Sequence, residues 1–279
     1  MDIVQSFLFQ LESIASELWT PQSRNLALLL STGQIKGGLS WTLMKEYRQW
    51  GLLHLLILSG SQYYSFATAW QNINLGIQKA LFRQSFPRIT RILLILVSLF
   101  YLNALGSPAP LLRCALLSFA LYTLSPFKCS QRLIVLIVFV LHMCLENWHP
   151  SDSAILSWMA YLMLQISNIL TKNPVFRIAF VSAILHISIG FFKDLEFSFR
   201  SLLVASLANI ICLPLYEKVI FPCIGYLSSL TLLLSPLWAI YLSPDYFKEF
   251  AARPLSFVLD LAIFPVLVAN STFRYTFLE

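Results

Sequence analysis

The run WGLLHLLILSGSQYYSF, from Trp50 to Phe66, decides how this chain is read. Trp50 to Leu58 is apolar apart from His54, and then Ser59, Gly60, Ser61 and Gln62 interrupt the segment. Glycine admits backbone angles that other residues resist, and flanking serines can bond carbonyls released by a broken helix. The stretch therefore predicts a membrane helix broken near position 60, a break that survives only inside protein or beside water. Its half-helix ends would aim partial charges inward, an N-terminal end favouring an anion. The alternative is a Gly60 that merely allows close helix packing, with Tyr63 and Tyr64 in an interfacial aromatic belt.

The rest of the chain supports a lipid setting. Of 279 residues, 58% are hydrophobic and only 11% charged, and the mean hydropathy is +0.72. A water-soluble domain carries about 25% charged residues. The expected fold class is all-α, a polytopic membrane helical bundle. The start, MDIVQSFLFQLES, has no basic region and no small-residue cleavage site, so targeting is expected from internal segments. The net charge of +6 follows from membrane topology as readily as from a nucleic-acid partner. Cys114, Cys129, Cys144, Cys212 and Cys223 form no CxxC pair, and no cofactor or metal is expected.

About nine hydrophobic segments follow one another, at 51–70, 89–105, 111–125, 132–146, 154–170, 176–192, 201–216, 222–241 and 255–272. Several approach the lower limit of about 17 residues for spanning a bilayer, so some are expected to be broken or re-entrant. Ahead of them, Ile3, Phe7, Leu11, Ile14 and Leu18 mark one stripe of an amphipathic helix lying on the membrane or against the bundle. A Gly-rich stretch, STGQIKGGLS, and a short polar helix over Thr42 to Gln49 lead into the first segment. Alternate loops hold Lys79, Arg83, Arg88 and Arg91, then Lys128 and Arg132, then Lys172 and Arg177, without an acidic residue. This is the positive-inside pattern. It predicts an N-terminal flank, 1–50, on the outer side and a polytopic domain over 51–279.

Ionisable groups inside a membrane tend to face the interior or a polar pathway. The candidates are His54, Arg113, His142, His186 and Asp260. Arg113 reads either as an interior cation, with Asp260 a candidate partner, or as a side chain snorkelling to the interface. His142 and His186 read as core histidines. Pro214, Pro236 and Pro265, in or beside late segments, read as kinks or as broken-helix sites.

Four stretches resemble, in order, the motifs of the ComEC-type competence protein family. GLLHLLILSG (Gly51 to Gly60), preceded by LLLSTGQIKGGLSWTLMKEYRQW, is similar to its Gly-Leu-x-His-Leu-Leu-x-x-Ser-Gly-x-His motif. SPAPLLRCALLSFALY (Ser107 to Tyr122) resembles its Ser-Pro-x-x-Arg-Ala segment, HPSDSAILSWMAYLMLQ its Pro-x-Asp…Leu-Ser segment, and SLLVASLANIICLPLYEKVIFPCIGYL its Asn-x-x-x-x-Pro-Leu segment. The likeness covers most of 25–230 and places His54, Ser59, Gly60, Arg113, Asn209 and Pro214 on motif positions. Gln62 stands where the motif has its second histidine and cannot carry a charge, and Cys114 stands where it has alanine.

The resemblance implies an inner-membrane channel component taking up single-stranded DNA during natural transformation. Its partners would be the lipid bilayer, other competence proteins including a separate motor, and a second copy of the chain. The nuclease and oligonucleotide-binding domains of longer relatives are expected to have no counterpart here; the nuclease chemistry needs clustered His and Asp ligands, and the four histidines are scattered. Two other classes compete. A diverged membrane protein would have another cargo or none. An intramembrane serine protease would need Ser59 or Ser61 beside His142 or His186. His54 itself lies about 140° around the helix axis from Ser59. The chain is expected not to be an enzyme.

Overall fold

The computed structural model describes residues 3–16, 21–32, 47, 52, 60–124, 127, 129–192, 199–238 and 259. Among them the regular structure is entirely helical: α1 (Ile3–Ser16), α2 (Pro21–Thr32), α3 (Gly60–Phe82), α4 (Pro87–Ala104), α5 (Ala109–Leu124), α6 (Gln131–Leu145), α7 (Asp152–Leu170), α8 (Pro174–Phe192), α9 (Phe199–Leu215), a π-helical turn (Tyr216–Ile220) and α10 (Phe221–Trp238). Local chemistry sets several starts. Ser130 Oγ accepts the Leu133 N–H at 3.3 Å and caps α6. Asn173 Oδ1 accepts the Val175 N–H at 2.9 Å, with Pro174 at the first helical position of α8.

The pattern of exposure is that of a helical membrane bundle. Ile92, Leu96 and Leu99 of α4 and Leu203, Leu207 and Ile211 of α9 form outward apolar stripes, the reverse of a water-facing helix. Polar side chains turn inward instead, among them Gln62, Gln78, Ser98, Arg113, His142 and Asn209. Pro87–Ala104, Asp152–Leu170 and Leu202–Leu233 are long and apolar enough to cross a membrane. The 16 residues of α5 rise about 24 Å, short of a hydrocarbon core of about 30 Å.

The chain divides into two compact units. One comprises Met1–Leu11, Leu58–Ile155 and Phe221–Leu242; the other comprises Glu12–Ile57, Leu156–Ile220 and Ser243–Glu279. In the first, α3 packs most extensively on α10 and also on α4 and α5. Its core stacks Phe66 on Tyr101, ring centroids 3.9 Å apart and 10° from parallel. Phe7 meets Tyr101 edge-on at 6.4 Å, so the amphipathic stripe of α1 lies against the bundle, with Phe7 and Leu11 buried. In the second unit α8 packs on α9, and the Tyr47 and Tyr216 hydroxyls share a buried hydrogen bond of 2.7 Å.

Two expected boundaries are corrected. The segment expected over 51–70 continues as helix to Phe82. Its polar second half stays helical because its side chains find partners: Gln78 Nε2 donates to Asn74 Oδ1 (3.2 Å) and Thr90 Oγ1 (3.1 Å), and Gln78 Oε1 accepts the Phe86 N–H at 2.7 Å. The segments expected at 201–216 and 222–241 have no loop between them; the π-helical turn joins them. Pro214 and Pro222 lack N–H donors on either side of it, and the altered register of a π turn accommodates such breaks in the ladder.

Candidate functional site

In the first unit the start of α3 meets the start of α5. The α4–α5 turn reverses through Gly106 (φ 73°) and Ser107 (φ 51°), with the Ser107 N–H donating to Leu102 O at 2.8 Å. Ala109 and Pro110 then open α5 and bring Arg113 inward at 8% exposure. Its side chain is thereby enclosed by protein rather than spread on the bundle's surface. Gly60 opens α3 against it. A Cβ at Gly60 would lie 2.6 Å from Cys114 Sγ and 3.4 Å from Arg113 Nη2, so two motifs far apart in sequence meet at a contact only glycine fits.

Polar and aromatic groups gather around that contact. Arg113 Nη2 donates to Cys114 Sγ at 3.6 Å, and Tyr64 lies within electrostatic reach of Cys114. Gln62, in the first turn of α3, is buried at 3% exposure. Tyr63 OH and Ser98 Oγ are 3.2 Å apart, and the Tyr63 and Tyr64 rings meet edge-on at 5.8 Å. On α6, His142 is fully buried, its Nε2 lies 4.0 Å from Glu146 Oε1, and it falls within electrostatic range of Arg113. Further along α3, Trp70 Nε1 and Asn74 Nδ2 are buried donors without a hydrogen-bond partner, as is Thr231 Oγ1 on α10. Buried polar atoms left in this state are places for water or for a ligand's acceptors. The Arg113 guanidinium, at the Gly60 end of α3, presents the planar fork that suits phosphate. Among the described residues, no three His, Cys, Asp or Glu side chains come together to hold a metal.

The structure thus brings Gly60 against Arg113, with Gln62 buried two residues further along α3. Asn209 and Pro214 belong to the second unit. There Asn209 Nδ2 donates to Ser182 Oγ and to Ala205 O, both at 2.8 Å, which ties α9 to α8. Pro214 sits inside α9 just ahead of the π turn. His54, Ser59 and Asp260 lie outside the described residues, as do nearly all of the Gly-rich stretch and of the expected helix over Thr42 to Gln49.

Sequence reasoning passed over Tyr64 as a neighbour of Cys114, His142 as a neighbour of Arg113, and Gly225. A Cβ at Gly225 would come within 2.6 Å of the Ser65 carbonyl carbon and 2.9 Å of Phe66 N, so α10 and α3 touch backbone to backbone. Ser229 Oγ then donates to Phe66 O at 3.3 Å. Gly225 and Ser229 form a small-xxx-small pair, the signal that would have found this contact.

No curated protein and no solved structure matches the chain. A family model described as competence protein matches residues 30–275. That match takes in the start of α3, all of α5 and the stretch around Asn209, and the chain belongs to the competence protein family.

Proposed function

We propose that the chain is an inner-membrane channel component through which one DNA strand enters the cell during natural transformation. Membership of the competence family supports a role in DNA uptake in general. The observation that carries the finer reading is the meeting of Gly60 with Arg113 and Cys114 inside an apolar bundle. A buried guanidinium is costly in a membrane interior, and a passing phosphate would offset that cost with two parallel charge-assisted bonds. Gln62, the orphan donors of Trp70 and Asn74 and the face of Tyr64 would supply neutral contacts along the way, and aromatic faces stack bases without regard to sequence. The driving energy comes from a separate motor, because the sequence holds no GxxxxGK[ST] phosphate loop.

Transformation of a competent host carrying Arg113→Ala or Arg113→Gln tests this. Uptake should be lost while the protein stays at its normal level in the membrane; unimpaired uptake in both would remove the reading. Gln62 favours a second reading, a diverged protein with another cargo, because a neutral amide replaces the motif histidine. A deletion strain that transforms normally would support it.

A further inference from the structure

Between α4 and α5 of the first unit lies a cavity of about 210 Å³. Leu94, Leu99 and Leu102 on one side and Leu112, Ala115 and Phe119 on the other wall it. The Tyr63 and Ser98 hydroxyls at its inner side are bonded to each other and the Tyr122 hydroxyl accepts from Gln71 Nε2; Ser118 adds one further hydroxyl, and the rest of the wall is hydrocarbon. Apolar cavities of about 150 Å³ stay dry and take up hydrocarbon. Leu99 is 60% exposed and Phe119 47% exposed, so the cavity opens onto the outward apolar face that Ile92 and Leu96 continue.

One end of this slot is cationic. The Arg91 guanidinium carbon stands 5.8 Å from the centroid of the Tyr122 ring, and Tyr122 lines the same cavity. Arg88 is exposed nearby on the same helix, and from Lys79 to Arg91 the chain holds no acidic residue. From Arg91 to Leu102 α4 rises about 16 Å, close to the half-thickness of about 15 Å of a bilayer's hydrocarbon. A positive charge at headgroup depth thus surmounts an apolar slot that runs one leaflet deep.

We infer that this is a binding site for one anionic glycerophospholipid of the bilayer, an acyl chain lying between α4 and α5 and the phosphate resting on Arg91. A free phosphate would leave the slot unfilled, and a zwitterionic lipid would not complement an uncompensated basic cluster.

Native mass spectrometry tests this on the full-length chain released from nanodiscs of equal phosphatidylglycerol and phosphatidylcholine. Phosphatidylglycerol should be retained at least about fivefold over phosphatidylcholine, and Arg91→Gln should lower that ratio about fivefold. Leu99→Trp, at an exposed rim position where folding is not at risk, should remove retention of both lipids. Equal retention of the two lipids, or retention that neither variant changes, overturns the proposal.

Discussion

Replacing Gly60 by alanine puts a methyl group 2.6 Å from Cys114 Sγ and 3.4 Å from Arg113 Nη2. Relief requires the sulfur to retreat by about 1 Å, and Cys114 is buried and already bonded to Arg113. Overpacking of this kind costs about 1–3 kcal/mol. At the first position of α3 glycine carries little of its mid-helix penalty, so the net loss stays at about 1–3 kcal/mol, a fall of about 2–12 °C in melting temperature for a domain of this size. Cys114→Ala supplies the missing room, and alanine is the residue that the family motif has there. In the Cys114→Ala background Gly60→Ala should therefore cost almost nothing, giving a coupling of about 1–3 kcal/mol in the cycle. Thermal unfolding of the four proteins in nanodiscs, with transformation frequency measured in parallel, checks this. Equal destabilisation by Gly60→Ala in both backgrounds would refute the contact, and with it the meeting of the two motifs.

Gly225→Ala should be the harsher change, because the new methyl faces the backbone of Ser65 and Phe66 and no rotamer relieves it. It should cost about 1–3 kcal/mol in the same unfolding assay, whereas Gly76→Ala, with nothing within 4 Å, should stabilise by about 0.5–1 kcal/mol. Asn209→Leu deletes the bonds to Ser182 and Ala205 and should destabilise by about 1–3 kcal/mol. Immunoblots should then show transformation falling with the amount of protein, in contrast to Arg113→Ala, where uptake falls at constant amount.

From residue 89 to residue 192 the helices were legible in the sequence, because apolar runs between prolines, glycines and basic loops leave little choice of boundary. The Gly60 region was legible as a special backbone position, and Arg113 as an ionisable residue out of place. What periodicity could not show was the helical path of Gln71 to Phe82, a polar stretch held by Gln78 through contacts with the next helix. It could not show the π-helical turn after Pro214 either, since prolines there read equally as a loop. Above all, it could not decide whether Gly60 serves packing or a polar site. The structure shows its contact, the motif arginine together with its neighbouring thiol, while the expected helix break just ahead of it falls outside the described residues. The roles of Cys114 and His142 stayed hidden because each depends on partners on other helices.

Cross-linking to the incoming strand tests the central claim most directly. A photoreactive p-benzoylphenylalanine is placed at Tyr64, 48% exposed and within electrostatic reach of Cys114, and in a control at Leu96, 58% exposed on the outward face of α4. Cells are irradiated while they take up labelled DNA. The account predicts a covalent adduct with single-stranded DNA from position 64 and none from position 96; no adduct at 64, or equal adducts at both, contradicts it.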